Sequence, residues 1–153
     1  MTYRRTTLLT AMLCGLFFGF MRPAAAVDVH ADPGPPSADL APIRAMIKAK
    51  EFSQAIEALH ILERTNQTAD LYNLLGFSWR NVGEYARSAE SYRMALALNP
   101  EHRSALEYQG ELFIRLGQID RAKDNLRKLV ELCPQGCEER EDLESALAEV
   151  KAK

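Results

Sequence analysis

Three pairs of residues in this chain of 153 stand 34 apart: Gly76 with Gly110, Gly83 with Gly117, and Pro100 with Pro134. One unit is therefore written at least twice, and a repeat of this length buries its apolar side chains by stacking on its neighbours. The first copy carries Tyr72, Leu75, Gly76, Trp79, Ser88, Tyr92, Ala95 and Pro100; the second carries Leu106, Gln109, Gly110, Phe113, Ala122, Leu126, Leu129 and Pro134. The large members fill the space between two helices, so Trp79 and Tyr92 are expected in the core. Gly76 and Gly110 lack side chains where the first helix faces the second, opposite the small Ser88 and Ala122. Gly83 and Gly117 fall where the first helix ends and φ turns positive, a conformation glycine adopts without steric cost. Asn99-Pro100 and Cys133-Pro134 stop the second helix, because proline cannot continue it.

This skeleton resembles the tetratricopeptide repeat. The resemblance implies an all-α solenoid of about three helix-turn-helix repeats, over residues 38–68, 69–102 and 103–136, closed by a capping helix over 138–151. The first repeat is degenerate. Phe52, Ala55, Leu59 and Leu62 answer to Tyr85, Ser88, Tyr92 and Ala95 at an offset of 33, and Ile43, Met46 and Ile47 form the stripe of a preceding helix. Pro42 and Ile43 stand there in place of Leu-Gly, and proline is tolerated near a helix start. In the last segment Leu143, Ala146, Leu147 and Val150 make an apolar stripe. Glu138, Glu139, Glu141 and Asp142 crowd its first turns and Lys151 and Lys153 its end, in accord with the helix dipole.

The N-terminus differs in kind. Arg4 and Arg5 precede an apolar stretch from Leu8 to Met21, and Ala24-Ala25-Ala26 follow Pro23, the layout of a signal peptide over residues 1–26. The apolar stretch falls short of the roughly 20 residues that span a bilayer. Export to a bacterial periplasm by the general secretory route is expected, with no stable membrane insertion after cleavage. The sequence before Cys14 does not make a lipobox. Residues 27–37 hold Pro33, Gly34, Pro35 and Pro36 and read as a disordered tether, with His30 a solvated tail residue. Cleavage removes three of the 19 Lys+Arg and none of the 21 Asp+Glu, taking the net charge from −2 to −5. Nucleic acid, whose phosphates need clustered Lys and Arg, is a poor partner for such a chain.

Cys133-Pro134-Gln135-Gly136-Cys137 is the one reactive constellation. It reads as a structural disulfide across the turn into the capping helix. The alternative is an accessory role in periplasmic thiol-disulfide or cytochrome maturation chemistry, with Cys137 activated at a helix N-terminus. A metal site would need two more ligands, and His60 and His102 have no ligand-like spacing. No hydrolase elbow, phosphate-cradling loop or His-Glu-x-x-His helix is present, so neither enzymatic activity nor a cofactor is expected.

In proteins similar to this one the first helix of each repeat lines a concave groove that holds a partner's peptide. By repeat position the groove comprises Asp70, Asn73, Phe77, Arg80 and Asn81, then Ser104, Glu107, Glu111, Ile114 and Arg115, with Arg44 and Lys48 extending it. The resemblance implies an adaptor or assembly factor binding a partner of mixed charge. The Lys and Asn set by which some such repeats clamp a C-terminal carboxylate is not reproduced.

Overall fold

The computed structural model describes residues 39–151, so the expected signal peptide and tether, with Cys14 and His30, lie outside the described residues. Seven helices and no strand occur among them: α1 (Ala41–Lys48), α2 (Phe52–Glu63), α3 (Ala69–Asn81), α4 (Tyr85–Leu98), α5 (Arg103–Arg115), α6 (Ile119–Leu132) and α7 (Glu138–Lys151). Consecutive helices pair as hairpins, α1 with α2, α3 with α4 and α5 with α6, while α3 also packs on α2 and α5, and α7 on α5 and α6. No described helix is long and apolar enough to cross a membrane.

Local chemistry sets the helix ends. Thr68 adopts an extended backbone and its Oγ1 accepts the Leu71 amide at 3.2 Å, with Asp70 in the first turn. At the start of α5 a histidine takes that role, His102 Nδ1 accepting the Ala105 amide at 3.2 Å. The same ring places Nε2 3.3 Å from Asp70 Oδ1, which requires the Nε2–H tautomer. One imidazole thus caps α5 and ties it to the first turn of α3. Gly83 and Gly117 close the α3–α4 and α5–α6 turns at φ 87° and 73°. The corresponding turn of the first hairpin has no glycine: Lys50 is left-handed there at φ 61°, a strained state for a residue with a Cβ. Pro42 lies in the first turn of α1, which is 8 residues long against 13 for α3 and α5.

Two apolar clusters follow the stack. Ile43, Ile56, Leu59, Leu71, Leu74 and Leu75 build the first; Leu106, Phe113, Leu129, Leu143 and Leu147 build the second. Each fully buried leucine contributes roughly 1.5–3 kcal/mol. The expected capping helix supplies Leu143 and Leu147 to this core, whereas Val150 is exposed.

The two helix glycines do different work. A Cβ on Gly76 would stand 2.6 Å from the Tyr92 ring, and Ser88 Oγ donates to the Gly76 carbonyl at 2.8 Å, so this close approach joins α3 to α4. A Cβ on Gly110 would instead meet Leu143 at 2.7 Å. The second close approach is therefore to the capping helix rather than within the last hairpin. Trp79 departs from its expected burial. Its indole is partly exposed, with the Arg87 guanidinium 4.7 Å above it and the His60 ring 5.9 Å away, in the wall of a cleft of about 550 Å³ between α2, α3 and α4.

Candidate peptide-docking groove

Helices α1, α3, α5 and α7 recur at equivalent places in the stack, and the residues picked by repeat position fall on them in three groups. Near α1, Arg44 reaches Asp70 at 3.5 Å, and Asp70 in turn meets His102. Lys48 is exposed at the end of α1. In the middle, Arg44, Asn73, Phe77 and Ser104 line a cavity of about 220 Å³ with Ile47, Leu74 and Tyr108. Toward α7, Arg80, Asn81, Glu111, Ile114 and Arg115 line a second cavity of about 460 Å³, together with Tyr85, Glu149 and Val150.

Arg80 is the hub of this face and is already committed. Its side chain is 11% exposed; it pairs with Glu111, donates to the Tyr108 carbonyl at 3.3 Å, and lies 5.3 and 5.4 Å from the Phe77 and Tyr108 ring centroids. Those rings stand 5.0 Å apart. A charge-assisted pair held between two aromatic faces fixes α3 against α5. Arg115, by contrast, is exposed, its guanidinium 5.9 Å from the Tyr85 ring.

Two groove positions are not surface. Asn73 is 4% exposed and Glu107, one repeat further on, is 6% exposed. Burial pushes the Glu107 carboxyl up to about 8, with Glu111, Asp142 and Glu139 adding to the rise and Arg80 opposing it. At neutral pH this acid is therefore largely uncharged, and the groove is less acidic than its residue list implies. Burial also raises the Tyr108 phenol, with Glu107 next in effect. Ser104 Oγ lies 3.5 Å from Glu139, where α5 meets α7.

Tyr108, Tyr85, Glu149 and Val150 line the same two cavities and were not assigned to the groove from sequence. A signal for one existed: Glu149 lies 34 residues after Arg115, so α7 continues the register. At the seam before α7, the Cα atoms of Cys133 and Cys137 are 6.0 Å apart, inside the span a disulfide bridges. Gly136 makes the turn at φ 103°, and Arg140 donates to the Cys133 and Pro134 carbonyls at 3.4 and 3.3 Å. Among the described residues no group of three or more His, Cys, Asp or Glu is placed to hold a metal ion.

Comparison with known proteins follows the same lines. Tetratricopeptide repeat family models match residues 69–102 and 104–136. No curated protein matches the chain. Among solved structures, it is similar to the second TPR domain of human RPAP3, determined in complex with an HSP70 peptide. That likeness has 18% identity and a TM-score of 0.63, over 73% of this chain and 91% of the other. The first TPR of Spaghetti (RPAP3), bound to an HSP90 peptide, is similar at 18% identity and a TM-score of 0.63, over 73% and 89%. MamA is similar at 18% identity and a TM-score of 0.57, over 69% and 70%. With the repeat matched twice by sequence and the same helical stack recurring in these domains, the chain is a tetratricopeptide repeat protein.

Proposed function

We propose that this protein is an exported adaptor or assembly factor that docks a segment of a partner protein along the face built by α1, α3, α5 and α7. Tetratricopeptide repeats and peptide-bound neighbours support a protein–protein interaction module. The observation that carries the reading is the cavity lined by Asn81, Ile114, Arg115 and Glu149, polar and open beside the fixed Arg80–Glu111 pair. Arg80 is unsuitable as a probe, since reversing its charge would place a carboxylate against Glu107 and Glu111 and unfold the stack. The test uses Lys48→Glu with Arg115→Glu, both exposed. Crosslinking in cells followed by mass spectrometry should lose the wild-type partners, at an unchanged melting temperature. Identical partner sets from both proteins would sink the groove assignment.

The Cys133–Cys137 pair acts in this reading as a structural bridge across the seam. Glu138, Glu139 and Glu141 in the first turn of α7 oppose a reactive thiolate at Cys137, which weighs against thiol-disulfide chemistry. Export is supported by the layout of residues 1–26. Protein recovered from outside the inner membrane should resist thiol-specific labelling until reduced. Ready labelling would remove the bridge, and recovery from the cytoplasm alone would remove the export.

A further inference from the structure

The cleft between α2, α3 and α4 shares no lining residue with the two cavities of the docking face. Its volume of about 550 Å³ falls within the ≈ 300–1,000 Å³ of ordinary small-molecule sites. Tyr72, Leu75 and Trp79 of α3 give it an apolar and aromatic wall, which Met94 of α4 extends. Of the acids in its lining, Glu63 pairs with His60 Nδ1 at 3.0 Å and Glu90 accepts from Arg93 Nε at 2.8 Å. Both are committed. Arg87 is not: it is exposed, and among the described residues its guanidinium has neither a carboxylate within ion-pair reach nor a hydrogen bond to the protein. The Trp79 ring, 4.7 Å away, accepts no conventional hydrogen bond, so the five N–H donors remain available. The next repeat holds the closed form of the same pair. There Arg121, 34 residues on, lies 3.9 Å from the Phe113 centroid and donates to Gln118 Oε1 at 2.7 Å. Glu84 stands at the position of Gln118 and makes no such bond to Arg87.

We propose that this cleft binds a small amphiphilic monoanion, an alkyl or aryl carboxylate, whose carboxylate pairs with Arg87 and whose apolar body lies against Tyr72, Leu75, Trp79 and Met94. Charge selects the class. A guanidinium with available N–H donors takes a carboxylate in bidentate geometry. A cationic ligand would have to displace His60 or Arg93 from acids already paired, beside the unpaired Arg87. A dianion would bring its second charge toward Glu63 and Glu90, and a wholly polar ligand would leave the aromatic wall in water. The site stands apart from the docking face, so each holds or fails without the other.

Trp79 is the chain's single tryptophan, so its emission reports on this cleft directly. The full chain is titrated with decanoate, decyltrimethylammonium and decanol, each below its micelle or solubility limit. Wild type is compared with Arg87→Gln, Arg87→Lys and, as the equivalent change one repeat on, Arg121→Gln, with thermal melting alongside. In wild type decanoate should change the emission saturably and bind roughly tenfold more tightly than either of the other two. Arg87→Gln should bind decanoate no better than decanol, at an unchanged melting temperature. Arg87→Lys should keep most of the preference, and Arg121→Gln should bind as wild type does. Equal wild-type affinities for the three amphiphiles would overturn the pairing with Arg87, as would an Arg87→Gln protein that retains the preference. An equal loss in Arg121→Gln would assign the effect to surface charge at large and overturn the site. So would the absence of any saturable change in emission with decanoate.

Discussion

Glu107→Gln is expected to raise the melting temperature at pH 8 by roughly 10 °C and to remove most of the fall in stability between pH 5 and pH 8. The sign follows from where the proton sits. In the unfolded chain this carboxyl titrates in the usual range near 4.5, whereas in the folded protein it holds its proton up to about 8. Below pH 4.5 both states carry the proton and the folded protein bears no penalty. As pH rises through that window the unfolded chain releases its proton first, and stability falls by up to about 1.4 kcal/mol per pH unit until the folded pKa is passed. Allowing for water reaching the carboxyl, the loss by pH 8 is about 2–4 kcal/mol. Glutamine has the same shape and no proton to lose. Equilibrium denaturation of both proteins from pH 4 to 9 provides the measurement. Parallel profiles for the two would mean that Glu107 ionises freely in the fold.

Gly76→Val should cost about 3 kcal/mol. The added Cβ would stand 2.6 Å from Cδ1 and Cε1 of Tyr92, a distance that forces movement. Neither side can yield easily. Tyr92 is fully buried, and the Ser88 hydroxyl pins the Gly76 carbonyl at 2.8 Å. The better helix propensity of valine offsets only a few tenths of a kcal/mol. Truncating the ring in the same chain supplies the control, since Tyr92→Ala removes the obstacle. The double variant should be more stable than the sum of the two single losses predicts. Strict additivity in a double-mutant cycle would show that the contact is not what makes glycine necessary.

The sequence carried most of the architecture because the relevant physics is local. Gly83 and Gly117 announce positive φ by being glycine, Pro100 and Pro134 end helices by lacking an amide, and apolar spacing marks the faces that stack. What stayed hidden depends on neighbours far along the chain. The left-handed Lys50 turn has no glycine to betray it. Gly110 looked like a contact within its own hairpin, yet the atom it accommodates belongs to Leu143, supplied by the next helix. Arg80 and Glu111 read as free groove charges because pairing between adjacent repeats is invisible from either copy alone. Asn73 and Glu107 lie on predicted groove helices but are buried there. Repeat position specifies the direction of a side chain; its depth is specified by whatever the next repeat lays over it.

The two ends of the stack are built unequally, and this gives the molecule a direction. At one end α7 inserts Leu143 and Leu147 into the core. At the other, α1 is 8 residues long, begins around Pro42, and leads into a turn that holds Lys50 in the left-handed region. In a linear array each hairpin leans mainly on its neighbours, so local opening starts where the fewest interactions must break. Thermal opening is therefore expected to begin at the α1 end, so that the proposed docking face is softest beside Arg44 and Lys48 and firmest beside Arg115.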